Sequence, residues 1–175
     1  MEFAVGDKVV HPHHGPGQIT SVEHRELLDG KKRYYVIDIP AMELTVRVPW
    51  RKVDHLGVRP AMSRAKVARM LDTLGSKPSQ LPQDHKERQA GVWEKIRTSR
   101  PIPTAEAVRD LTWRSQQAHL TKKDSELLQR GLDFLAAEMA LVSDCKVSEA
   151  TIRIESALAR AMAARMESEL PQQLL

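Results

Sequence analysis

Leu44-Thr-Val-Arg-Val-Pro49 is the stretch on which the fold turns. Leu44, Val46 and Val48 are apolar, and Thr45 and Arg47 stand between them. That is the period-2 alternation of a half-buried strand, apolar face inward and polar face outward. Arg47 therefore points away from the core at the centre of a rigid element. A guanidinium held there is a ready donor to a partner's carboxylate or backbone carbonyl. Spacing alone favours the plainer alternative, a solvated strand arginine.

Working outward, the upstream chain repeats the strand pattern. Gly6-Asp7 marks a turn, and Lys8-Val-Val-His11 begins a strand. Pro12, Gly15, Pro16 and Gly17 predict a loop or bulge. Gln18 to His24 alternates again, with Ile19 and Val22 inward after a bulge. Leu28-Asp-Gly30 is a hairpin signal, and Lys32 to Ile39 is a β-branched and aromatic strand. Pro40 to Glu43 turns into Leu44–Val48, and Val53 to Arg59 would close a small barrel.

Beyond Pro60 the period becomes helical. Ser63 caps a helix to about Leu74, with Val67, Met70, Leu71 and Leu74 on one face. Gln80-Leu-Pro82 opens a second helix running to about Thr98, with Val92, Trp93 and Ile96 on its apolar side. Pro101 and Pro103 end that segment, and Thr104 opens a third helix with Val108, Leu111 and Trp113. Thr121-Lys-Lys-Asp124 resembles a capping box before a longer helix through Leu127, Leu135, Met139 and Val142. Ser148 caps a last helix with Ile154, Leu158 and Ala161 inward, and the tail after Leu170 is expected to fray. The expected fold class is α+β: a small β-barrel over residues 1–60, then an all-α helical domain of about five helices over residues 61–175.

The chain has 175 residues, 29% charged and 41% apolar, which fits one or two folded domains. No run approaches a membrane span. The N-terminus lacks a signal-peptide core and Cys145 stands alone, so a cytoplasmic setting is expected. Aromatics are only 4%, so each Trp needs an explanation. The net charge is +4, but residues 61–100 hold nine Lys/Arg against four Asp/Glu. That local surplus suits a few phosphate contacts and not nucleic-acid wrapping.

Among constellations, His11, His13 and His14 invite a metal reading, but no Cys, Asp or Glu stands close in sequence to complete a ligand set. Polar loop histidines that hydrogen-bond the turn are the expectation, with no metal or other cofactor. P-loop, GxSxG and HExxH signatures are absent, so no enzyme is expected. His85, Lys86, Arg88, Lys95 and Arg97 gather on the second helix, whose N-terminus offers free N–H groups to a phosphate. The alternative is an ordinary solvated helix face.

Three stretches together resemble a known family: Val5-Gly-Asp-Lys-Val-Val-His-Pro-His-His-Gly15, Leu44–Pro49, and Val58-Arg59 after Gly57. They are similar to the N-terminal module of the CarD/CdnL family of bacterial RNA-polymerase-binding transcription regulators. The resemblance continues through Ala107-Val-Arg-Asp-Leu111 and Glu126-Leu-Leu-Gln-Arg130, over roughly residues 1 to 160. The N-terminal motif is shared with transcription-repair coupling factors, but the helicase motors of those proteins are missing. The resemblance implies a Tudor-like barrel docked on the β1 lobe of the RNA polymerase β subunit. Arg25 and Arg47 fall on the family's polymerase-contacting arginines. Thr45 and Pro49, flanking Arg47 in its strand, belong to the same candidate docking set.

The resemblance also implies a helical domain beside promoter DNA at the upstream edge of the −10 element. There a family tryptophan wedges into the minor groove and stabilises the open complex. Here that position is His85, with Lys86 and Arg88 as the remaining DNA-contact candidates and Glu87 and Ala90 at weakened basic positions. Trp93 lies about 12 Å further along the helix and is expected in the core. The implied protein is a monomeric regulator without membrane contact, binding promoter DNA weakly and without sequence preference. The rival reading is a polymerase-binding adaptor whose wedge activity is weakened or lost.

Overall fold

The computed structural model describes residues 1–27 and 30–169. Five strands come first: β1 (Lys8–His11), β2 (Gly15–Leu27), β3 (Gly30–Ile39), β4 (Leu44–Pro49) and β5 (Arg59–Pro60). Five α-helices follow: α1 (Arg64–Gly75), α2 (His85–Arg97), α3 (Pro101–Gln117), α4 (Lys122–Ser143) and α5 (Val147–Glu169). The α+β order expected from the change of period is therefore present. Among the described residues no helix is long and apolar enough to cross a membrane.

The strands form one antiparallel sheet in the order β4-β3-β2-β1-β5. Val9, Ile19, Tyr35, Ile37, Ile39 and Val48 gather on its inner side with Phe3, Val53 and Val58. Val53 and Val58 belong to the segment expected to close the barrel, and they fill this core ahead of β5. The bulge falls between Ile19 and Ser21, where the β2–β3 register shifts. The break expected over Pro12 to Gly17 is shorter than its Gly/Pro content suggests. Only Pro12–His14 turn, and Gly15, Pro16 and Gly17 continue into β2. A Cβ on Gly17 would stand 2.4 Å from the Asp38 carbonyl oxygen. That glycine therefore serves close strand approach, not a loop. The hairpin signal at Leu28-Asp-Gly30 and the tail after Leu170 fall on, or run into, residues outside those described.

Ser63 caps α1 by accepting from the Lys66 N–H, and Val67, Met70 and Leu74 are buried as the spacing predicts. Two helix starts differ. The second helix begins at His85 and not near Pro82, because the Asp84 side chain accepts from the Glu87 N–H and sets the cap. The third begins at Pro101 and not at Thr104. Proline at a helix's first position loses no hydrogen bond, so Pro101 and Pro103 lie inside the first turn and do not end a segment. The last helix starts at Val147, one residue ahead of the expected Ser148 cap. Thr121 and Asp124 complete the capping box in both directions. Val92 and Ile96 are buried against Ala107, Leu111 and Leu127. Trp93 is not in the core: it is 39% exposed, with Arg130 over its ring at 4.9 Å. One residue is about 100° on a helix, enough to carry Trp93 off the face that buries Val92.

The sheet module and the helices share a polar junction. Glu138 on α4 is 0% exposed and accepts from both Arg59 terminal nitrogens at 2.8 Å and from the Met62 N–H at 2.8 Å. Arg59 Nε also donates to the Ser99 carbonyl at 2.9 Å. Ser99 has φ of 52°, and its hydroxyl donates to the Pro12 carbonyl at 3.2 Å. This left-handed backbone between α2 and α3 is thus held from the sheet side.

Candidate functional site

The outer face of the sheet brings Arg25 and Arg47 together through a residue that sequence reasoning missed. In register, Ser21, Val36 and Arg47 form one row across β2, β3 and β4, and Glu23, Tyr34 and Pro49 form the next. Arg47 donates from Nε at 3.0 Å and Nη2 at 3.2 Å to the two carboxylate oxygens of Glu23. Arg25 Nε donates to the same carboxylate at 3.1 Å. Arg47 first, then Arg25, hold the Glu23 carboxyl below the usual carboxylate range, against a desolvation that opposes them. Glu23 in turn raises the Arg47 pKa. The cluster carries two guanidiniums and one carboxylate, so a single positive charge remains on the face. Arg47 is oriented by Glu23 rather than swinging free, which reduces the rotamer freedom lost when a partner binds. Thr45 is exposed and Pro49 half-buried on either side of Arg47 along β4. Alternation along β2 places Glu23 and Arg25 on one face. The register that sets them near Arg47 crosses β3 and has no local signature.

The second candidate set divides. His85 and Lys86 are exposed in the first turn of α2. Arg88 is not a surface residue: it is 2% exposed and holds Asp124 with Nε at 3.2 Å and Nη2 at 2.8 Å. Its Nη1 donates to the carbonyls of Pro82 and Gln83. Every face of that guanidinium is thus used inside the protein, which removes Arg88 from any nucleic-acid surface. Burial pushes the Asp124 carboxyl up, but hydrogen bonds from Arg88 and Thr121 outweigh it and hold the pKa low. The free N–H groups expected at the start of this helix are partly taken as well. Asp84 accepts from the Glu87 N–H at 2.9 Å, and that bond is the main reason its own pKa is low. Asp84 and Glu87 flank Lys86 with negative charge, so this turn attracts a phosphate weakly.

The three histidines form a hairpin tip against the helices. His11 is buried, its Nδ1 accepts from the His13 N–H at 3.2 Å, and its ring centroid lies 4.6 Å from that of His14. This is the turn-bonding role expected of them. Among the described residues no group of three or more His, Cys, Asp or Glu side chains is placed to hold a metal ion. Burial, then the charges of His14 and His13, lower the His11 pKa from 6.5 to about 4. A depressed histidine pKa means that the unfolded chain takes a proton at a pH where the folded chain does not. Stability through this group is therefore lost as pH falls from about 6.5 towards 4. Unfolding free energies from urea titrations at pH 7 and pH 5 should differ by roughly 1–2 kcal/mol from His11 alone. His11→Gln should flatten that difference, and an equally steep fall in the variant would assign it to other groups.

Three comparisons with known proteins bear on this arrangement. Residues 3–62 match the family model described as the CarD-like/TRCF RID domain, and residues 69–155 match that of the CarD C-terminal domain. A curated Bacillus subtilis (strain 168) protein named "Putative transcription factor YdeB" is 29% identical over 140 residues. The match spans 80% of this chain and 92% of that protein. Among solved structures, the solution NMR structure of the 72-residue N-terminal domain of Myxococcus xanthus CarD is similar at 30% identity. It covers 34% of this chain and 79% of its own, with a TM-score of 0.30.

Proposed function

This chain belongs to the CarD family of transcription regulators and carries that family's RNA polymerase-interacting domain, and on that premise we propose that the outer face of its sheet docks on a lobe of the polymerase β subunit. The observation that carries the proposal is the Arg25–Glu23–Arg47 cluster, exposed and pre-oriented within the matched domain. A guanidinium fork suits a carboxylate or carbonyl on a folded partner. Thr45 and Pro49 extend the same strand face on either side.

The helical part then lies beside promoter DNA at the upstream edge of the −10 element, and His85 and Lys86 make the contact. With Arg88 buried and Asp84 and Glu87 alongside, this contact is weak by itself. Tethering through polymerase supplies the effective concentration that makes it count. His85 buries less apolar area than an indole, so it stabilises an open complex less than a tryptophan there would. His85→Ala with Lys86→Ala should shorten the lifetime of open complexes formed in the presence of the protein, and His85→Trp should lengthen it.

The burial of Arg88 specifically favours the second reading, a polymerase-binding adaptor with weakened or lost wedge activity. Unchanged open-complex lifetimes in both variants, with polymerase binding intact, would select that reading.

A further inference from the structure

Trp50 stands at the end of β4 with 39% of its surface exposed, and nothing in the docking reading uses it. Its ring carries two guanidiniums, Arg33 at 5.8 Å and Arg51 at 5.4 Å from the centroid. Lys32, Arg33, Tyr34, Pro49, Trp50, Arg51 and Lys52 line a shallow surface depression of about 340 Å³. Arg33 also sits over Tyr35 at 5.5 Å, so its stem is fixed against the core. Arg51 and Lys52 are exposed, and among the described residues no carboxylate stands within ion-pair distance of either. Four cationic side chains line this depression, two of them braced on the indole, and make a preformed anion-reading surface.

The ligand class follows from what already occupies the patch. The carboxylate of Glu2 accepts from Arg33 Nη1 at 2.9 Å, so the chain itself seats a carboxylate there. Stacked guanidiniums cover the indole that a nucleobase would need, which disfavours single-stranded nucleic acid. A handful of cations is also few for a duplex backbone. Position points the same way. Pro49 lines the patch and lies two residues from Arg47 on the same strand face, about 7 Å along β4. Tyr34 and Pro49 share Arg47's face, whereas Arg33 alternates to the side of Tyr35, so the patch stands at the end of β4 where the two sides of the sheet meet, within reach of a partner that extends past Arg47.

We propose that Trp50, Arg33, Arg51 and Lys52 form a second anchor beside the docking face, at the end of β4, which takes an acidic, carboxylate-bearing segment of the same protein partner. The inference rests on the docking reading of β4. Arg51 and Lys52 supply attraction, and Trp50 holds the guanidiniums in place and adds apolar contact at its exposed edge. Because the patch is solvent-facing, its contribution should depend on salt.

The test uses the full chain and the isolated β-subunit lobe, with calorimetric titrations at low and high salt. Arg51→Glu/Lys52→Glu should fold with an unchanged melting temperature. It should bind about tenfold more weakly at low salt, with a flatter salt dependence than the wild type. Trp50→Ala, which removes no charge, should also weaken binding, by severalfold. Wild-type binding that the double charge reversal leaves unchanged overturns the second anchor and leaves the docking reading standing. Absent wild-type binding overturns both. Loss of duplex-DNA binding by the double variant, with lobe binding intact, assigns the patch to nucleic acid and also overturns the proposal.

Discussion

Asp124→Asn should lower the stability of this protein by about 4 kcal/mol, a fall of roughly 10 °C in Tm for a chain of this size. Asp124 is 0% exposed, and its two oxygens face two nitrogens of an Arg88 that is itself buried. Removing the charge on one side strands a guanidinium in the core, and desolvation of that uncompensated cation dominates the loss. A second loss is local. Asp124 Oδ2 accepts from the Thr121 N–H and hydroxyl, so the amide weakens the cap of α4 as well. The double replacement Arg88→Met/Asp124→Leu should recover most of the loss, because well-packed apolar residues need no compensation. Thermal unfolding of Arg88→Met, Asp124→Leu and the double variant closes this cycle. If Arg88→Met alone proves nearly neutral, the ion pair does not stabilise the fold as its burial implies.

Glu138→Ala should cost about 3 kcal/mol. Glu138 is fully buried, but Arg59 keeps access to water and to the Ser99 carbonyl, so the stranded cation is less penalised than at Arg88. The Met62 N–H also loses its acceptor. The larger consequence is mechanical. Arg59 belongs to the short segment between the sheet and α1, and its bond to Glu138 fastens that segment to α4. Hydrogen exchange should show the Met62 amide losing protection in Glu138→Ala, together with protease sensitivity around residues 59–63. An unchanged Met62 protection factor would mean that the junction is held by other contacts.

The periodicities locate most elements correctly, because each is fixed by local chemistry. Alternation in Leu44–Val48 places Arg47 outward, and the Thr121–Asp124 box marks the start of α4. What stays hidden is the pairing of distant polar residues. Asp124 is legible as a cap but not as the partner of Arg88, which lies 36 residues away. Arg88 therefore reads as one more surface cation on a basic helix. Glu23 is invisible for the same reason: its link to Arg47 passes over β3. Trp93 misleads because a single step round the helix separates it from the buried face of Val92 and Ile96. Prolines mislead in both directions. Pro101 opens a helix, whereas Pro82 lies ahead of one and lends only its carbonyl to Arg88.

The central claim is that the Arg25–Glu23–Arg47 face docks on polymerase, and one titration tests it most directly. Wild type and Arg47→Glu are titrated calorimetrically into the isolated lobe of the RNA polymerase β subunit. The account predicts measurable wild-type binding and a loss of at least about tenfold on charge reversal, since Arg47→Glu sets two carboxylates against each other and removes the fork. Equal binding by the two proteins, or no binding by the wild type, would contradict it.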